Sequence, residues 1–171
     1  DSAELAARFA EEGDNSPADV FFSQVPGALG AVDDELEQLP QETLDRVAAR
    51  FRDAGGRWVG TSGRTRVLAY SIDALTEDQV PDSVFDLTDP AWKGKIGIAP
   101  TNASFQAFVT AMRLSAGDER TKQWLVDLKE NDPKTYEKNT PIVEALATGE
   151  IALGLVNHYY LYLVREEQPD A

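Results

Sequence analysis

The chain of 171 residues contains no cysteine, a single histidine and a single methionine. Without thiols it has no thiolate metal site, no cysteine nucleophile and no disulfide, and the compartment stays open on that score. With His158 alone it cannot build a zinc centre of several imidazoles from its own residues. No apolar run approaches the roughly 20 residues that cross a bilayer as a helix. Basic residues are few: 16 Lys and Arg stand against 30 Asp and Glu, for a formal net charge of −14. That balance excludes the basic patch that nucleic-acid phosphates need and disfavours adhesion to anionic lipid. It favours cations in a general way and promotes solubility. The signatures of catalysis are missing too. There is no Gly-x-Ser-x-Gly elbow and no glycine-rich phosphate loop, and no motif places a serine against His158, so no enzyme is expected.

Hydrophobic residues make up 42% and charged residues 27% of the chain, the composition of a soluble globular protein with a sizeable core. Short β-type runs alternate with helical ones, which predicts an α/β layer architecture. A helix is expected over Ala3–Glu12 with Leu5 and Phe9 inward and Asp1 or Ser2 as its cap. Asp19–Phe22 reads as a short buried strand, followed at Pro26-Gly27 by a small-residue helix. A further helix is expected over Glu42–Phe51, and strands at Trp58–Thr61 and Thr65–Tyr70. Asp89 caps a helical turn with Pro90 at its first position. Lys95–Ala99 is the next strand, and Phe105, Phe108, Val109 and Met112 then keep helical spacing. Asp118 is expected to cap a helix ending near Asn131. Thr140-Pro141 starts another, which Gly149 stops. A buried strand follows, Ile151–Val156, and then the run Asn157-His158-Tyr159-Tyr160-Leu161-Tyr162.

Open α/β sheets bind ligands beyond the carboxyl ends of their strands, and the Tyr159-Tyr160 pair falls there. A phenol with a pKa of about 10 is a poor ligand while protonated. A small, highly charged cation displaces the proton and holds the phenolate. Two adjacent phenolates offer hard anionic oxygen, which suits ferric iron. The dipeptide also describes plain packing, because a buried Tyr needs only one hydrogen-bond partner. Thr101-Asn102-Ala103-Ser104 is a strand-to-helix junction whose backbone N–H groups and small polar side chains form a potential anion cradle. Asn139 and Asn157 each lead into a helix, where asparagine serves as a cap or turn former or, with converging amides, as an oxyanion donor.

Several stretches together resemble the ferric-iron-binding proteins of ABC importers. They are Ala18–Gln24, Gly60–Val67, Asp89–Gly97, Lys129-Glu130-Asn131, Lys138-Asn139-Thr140 and Asn157-His158-Tyr159-Tyr160. The resemblance spans essentially the whole chain, and the double tyrosine is its specific mark. It implies a type II periplasmic-binding-protein-like α/β fold, with mixed sheets, flanking helices and parts of two lobes around a cleft. Residues 1–65 would be the late part of the first lobe and 66–171 most of the second. Tyr159 and Tyr160 would ligate Fe(III), while Asn102, Ala103, Ser104, Asn139 and Asn157 would hold a synergistic anion, phosphate or carbonate. The partners implied are the permease and ATPase of an ABC importer, and the place is extracytoplasmic, periplasmic or lipid-anchored. The protein would act as a monomer.

The chain departs from the family pattern in two places. Gln24 stands where relatives carry a glutamate ligand, so metal ligation does not transfer to it; hydrogen bonding to a metal-bound water or anion does. No tyrosine stands in the 101–104 loop, where some subfamilies have one. The resemblance also implies that the chain is part of a longer protein, and that alone it binds iron more weakly than the whole. The alternative function is binding of a small organic or phosphorus-containing solute of thiamine, phosphonate or polyamine type, with the Tyr rings flanking the ligand. Arg64 and Arg66 share a strand face, where they touch the anion or, as expected, form structural ion pairs. His158 is expected beside the site without ligating. Tyr70, Tyr162 and the three tryptophans are expected to pack.

Overall fold

A computed structural model describes residues 2–167. Asp1, one of the two expected caps, lies outside the described residues. The chain divides into two compact units, Asp1–Gly63 and Arg64–Ala171.

The first unit is built from short helices: α1 (Ser2–Glu12), α2 (Pro26–Ala31) and α3 (Gln41–Leu44). Its small core is Ala6, Ala28 and Val32, against which Phe9, Phe21, Val25 and Leu36 pack. Ser2 begins α1 as a buried residue, and its Oγ accepts the Gln24 backbone N–H at 3.0 Å. Four expectations fail here. Asp19–Phe22 forms no strand, and Val20 and Phe22 are 81% and 67% exposed. An extended run needs a neighbour to satisfy its backbone groups, and among the described residues of this unit the only ladder contact is a single Arg52–Val59 bridge. The same scarcity reduces Trp58–Thr61 to that bridge. The Glu42–Phe51 helix stops at Leu44, where Arg52 Nη1 takes the Leu44 carbonyl at 2.6 Å, and Ala48 is extended. On α1 the inward position is Ala6, while Leu5 is exposed.

The second unit carries a four-stranded mixed sheet. Its strands are β1 (Arg66–Tyr70), β2 (Ile96–Ile98), β3 (Lys134–Thr135) and β4 (Leu153–Asn157), in the order β1-β4-β2-β3. β4 runs parallel to β2, and β2 parallel to β3. β1 runs antiparallel to β4, with Arg66 opposite Asn157. Every residue of β2 and β4 is buried, as continuous apolar runs in the middle of a two-faced sheet require. Four helices cover the faces: α4 (Ala103–Ala116), α5 (Asp118–Glu130), α6 (Asn139–Ala147) and α7 (Tyr159–Glu167).

Alternation along β4 sends Leu153 and Leu155 to one core, with Phe105, Met112, Trp124 and Leu128 of α4 and α5. Val156 goes to the other, with Ile142, Val143, Leu146 and Val164 of α6 and α7. Trp124 is buried and donates to the Val84 carbonyl at 2.8 Å. Asp89 caps its turn through the Ala91 N–H, as expected. Asp118 does not cap α5: Gly117, at φ 91°, makes the turn, and Asp118 sits in the first helical turn paired with Arg113 at 2.8 Å.

Gly97 and Gly154 are register partners on β2 and β4. A Cβ on Gly154 would stand 2.5 Å from Ile142 Cγ2, and one on Gly97 would stand 2.5 Å from Ile151 Cδ1 and 3.2 Å from Ile142 Cγ2. The bare patch lets α6 lie close on the sheet and draws its first residue, Asn139, in over the strand ends. Gly154→Ala is expected to cost about 1–3 kcal/mol by overpacking, read as a lower urea midpoint with unchanged slope.

Candidate metal and anion site

Four chain segments reach one end of this sheet. The carboxyl ends of β2, β3 and β4 lead to Asn102, Asn139 and Tyr159 respectively, and β1, running the other way, starts there with Arg66. The antiparallel partnership sets Arg66 beside Asn157. Asn139 and Asn157 are buried, and Asn102, Ser104 and Arg66 are half-buried.

Arg66 organises the polar groups. Its Nη1 donates to Asn139 Oδ1 at 2.9 Å, to Ser104 Oγ at 3.2 Å and, more weakly, to Asn157 Oδ1 at 3.4 Å. Its Nη2 donates to the Leu155 carbonyl at 2.6 Å, and the guanidinium lies 5.7 Å from the centre of the Phe105 ring. No carboxylate pairs with it among the described residues, so the expected ion pair is replaced by neutral oxygens. Desolvation lowers the Arg66 pKa to about 10, partly offset by Tyr160, and the group keeps its charge at neutral pH.

Asn102 caps α4 through Oδ1, which accepts the Ser104 N–H at 3.0 Å and the Ser104 hydroxyl at 2.6 Å. Asn139 Nδ2 points into the same place, 3.3 Å from Ser104 Oγ and 3.5 Å from Asn102 Oδ1. The side chain of Asn102 thus already engages donors that the sequence offers to an anion. Ala103 is the exposed first residue of the helix.

Tyr159 and Tyr160 open α7 with their rings stacked, centroids 4.3 Å apart and planes 29° apart. Both are half-buried. Burial raises the Tyr159 pKa, but hydrogen bonding by Tyr160, by Arg64 with its charge, and by Asn157 outweighs it, and the net shift is down. For Tyr160, burial together with the hydrogen bond and charge of Tyr159 wins over Asn139 and Arg64, and the shift is up. One phenol is thus prepared to ionise before the other, as two close acids must.

The remaining candidates scatter. Arg64 is exposed, and its guanidinium lowers the Tyr159 pKa. Gln24 is an exposed residue of the first unit. His158 Nδ1 accepts the Thr65 N–H at 3.1 Å, so that nitrogen is occupied, while its ring meets Tyr159 edge-on at 6.1 Å. Tyr70 packs in the α4–α5 core; Tyr162, expected to pack, is 66% exposed. A cavity of about 450 Å³ opens around the amino ends of the parallel strands, where Lys134 and Tyr136 already bond Glu150 at 3.3 and 3.1 Å. Lys134, Tyr136 and Glu150 thus satisfy one another there. Sequence reasoning missed the part Arg66 plays; its position at a strand start beside Asn157 becomes visible only once β1 pairs with β4.

Residues 15–170 match the family of bacterial extracellular solute-binding proteins. The chain belongs to that family. Among curated relatives it is 34% identical over 163 residues to the "Fe(3+)-binding periplasmic protein" of Serratia marcescens, covering 94% of this chain and 48% of the relative. It is 36% identical over 169 residues to the "Major ferric iron-binding protein" of Neisseria meningitidis, covering 96% and 51%. The chain therefore spans about half the length of the curated relatives it matches. Iron-bound HitA from Pseudomonas aeruginosa superposes with a TM-score of 0.91 at 34% identity, over 99% of this chain and 56% of that one. A Trichodesmium protein (IdiA, FutA) in complex with iron and citrate ligands gives 0.88 at 28%, over 99% and 55%. The fold is thus the mixed α/β arrangement of this solute-binding family, as the resemblance implied.

The opposed shifts of the two phenols give a sign that can be checked. A depressed Tyr159 pKa contributes stability only above the ordinary value of about 10, and that contribution disappears as pH falls through the folded pKa. A raised Tyr160 pKa favours the fold below the ordinary value, and the benefit is lost as pH rises through the folded one. Near-ultraviolet phenolate titration of the metal-free protein should show an early component from Tyr159 and a late one from Tyr160, beside the late titration of Tyr136, which burial and Glu150 push up to about 12. Tyr159→Phe should remove the early one and move Tyr160 to lower pH, by taking away the hydrogen bond and charge that hold it up.

Proposed function

We propose that this chain captures ferric iron as the cargo of an ABC importer, through the phenolates of Tyr159 and Tyr160 with a synergistic anion beside them. The observation that carries the reading is the pair of stacked phenols at the carboxyl end of β4, the end of the sheet where Asn102, Ser104, Asn139 and Asn157 gather. Rings stacked on each other at 4.3 Å leave no slot for a flat organic solute between them, which favours this reading over the thiamine or polyamine type. The ferric proteins among the relatives point the same way.

Fe(III) is acidic enough to replace both phenolic protons, and the phenolates supply hard charged oxygen. Phosphate or carbonate, held by Ala103, Ser104, Asn139 and Asn157 and taking the place that Asn102 Oδ1 occupies, adds negative charge and fills coordination positions. Asn102 then turns its amide to the anion. Gln24 supplies no charge and is left out of the ligand set; Arg64 steadies the Tyr159 phenolate. In the whole protein, residues 1–65 belong to the first lobe and 66–171 to the second, and closure of the lobes buries the cargo. The place of work is extracytoplasmic, and the partners are a permease and its ATPase. Capture and release require no turnover, so the role is that of a binding protein.

Ferric ion added with phosphate should give a visible phenolate-to-iron charge-transfer band. Tyr159→Phe together with Tyr160→Phe should abolish the band while the far-ultraviolet circular dichroism is unchanged. A colourless wild type, or retained iron affinity in the double variant, would sink the assignment. Loading should also release protons, because iron displaces those that the phenols carry. Calorimetry in two buffers of different ionisation enthalpy measures their number, and iron binding should weaken as pH falls.

A further inference from the structure

We infer that Arg66 is the positioning residue of the anion cradle, fixing which way the Asn139 and Asn157 amides face. This rests on the function proposed above. A side-chain amide has an acceptor end and a donor end, and its orientation follows from the bonds it makes. Arg66 is donor only, and Nη1 lies 2.9 Å from Asn139 Oδ1 and 3.4 Å from Asn157 Oδ1. Both acceptor ends are therefore held against the guanidinium, and both amino ends turn away from it. The Asn139 amino group then reaches Ser104 Oγ and Asn102 Oδ1 at 3.3 and 3.5 Å. Ser104 follows the same logic: its Oγ accepts from Arg66 at 3.2 Å and so sends its proton outward, to Asn102 Oδ1 at 2.6 Å.

The result is a patch whose outward groups from Asn139, Asn157 and Ser104 are donors. Such a patch suits an oxyanion that only accepts, such as a carbonate or a fully deprotonated phosphate edge, and penalises a ligand oxygen that must donate. Arg66 itself is anchored independently, by Nη2 on the Leu155 carbonyl at 2.6 Å, while its buried Nε has no partner. The charge also polarises each amide, strengthening its N–H as a donor. Lysine cannot copy this, because a single ammonium lacks the planar fork that serves β4 and both asparagines together.

The test uses the metal-free 171-residue chain with asparagine labelled by nitrogen-15. In the wild type the side-chain amide protons of Asn139 and Asn157 should be slow to exchange and well separated. Arg66→Met should bring both to the shifts and exchange rates of free amides. Asn131, whose amide donates to Leu87 and Asp89 carbonyls at 2.9 and 2.7 Å, is the folding control and should not move. Inorganic phosphate affinity, followed on the same resonances, should fall about ten-fold or more, the loss of about one well-oriented amide hydrogen bond. Arg66→Lys, kept as a second variant in case the first loses the Asn131 signal, should restore net charge without restoring the Asn139 and Asn157 signals. Unmoved Asn139 and Asn157 amides in either folded variant, or a lysine variant equal to the wild type, would overturn the inference. A wild type that stays colourless with iron while Arg66→Met still frees both amides would remove the iron reading and leave the positioning role standing.

Discussion

A guanidinium brought into a half-buried place normally needs a carboxylate, because the desolvation cost of a lone charge is several kcal/mol. At the end of this sheet Arg66 meets an amide oxygen from each of Asn139 and Asn157, a hydroxyl and a backbone carbonyl instead. Those partners come from α6, the end of β4, the start of α4 and the interior of β4, so a single side chain ties four positions of the second unit. The arrangement leaves a positive charge uncompensated beneath a patch of donors. On the proposed reading, an anion that settled there would complete the electrostatics, and the tyrosines beside it would add phenolate charge only when something removed their protons.

The packing beneath the site serves that end of the sheet. Gly97 and Gly154 leave a strip without side chains on neighbouring central strands, and Ile142 fills it. With α6 that close, Asn139 arrives buried over the strand ends. The antiparallel edge strand then matters more than its five residues suggest, since a parallel β1 would bring Tyr70 to this end and carry Arg66 to the other.

The second unit was largely legible from its residues. Central strands announce themselves as unbroken apolar runs, the α4 stripe keeps helical spacing, and Asp89-Pro90 carries capping chemistry that needs no tertiary context. The first unit was not. Val20 and Phe22 look like core residues until one asks what they would pair with, and a helix over Glu42–Phe51 has no core large enough to hold it together. At the site, the tyrosine pair and the asparagines could be chosen from type and place. Arg66 could not, because its part depends on the direction in which β1 pairs and on which end of each amide it meets.

The polar groups gathered at this end of the sheet are phenols, amides, a hydroxyl and arginines, and no carboxylate stands among those named. Calcium and magnesium take their oxygen from carboxylates, carbonyls and water, and neither is acid enough to strip a phenol at neutral pH. Lewis acidity therefore works as a filter here. On the proposed reading, abundant divalent ions find no charged oxygen waiting for them, and an ion would settle on Tyr159 and Tyr160 only if it could make its own ligands.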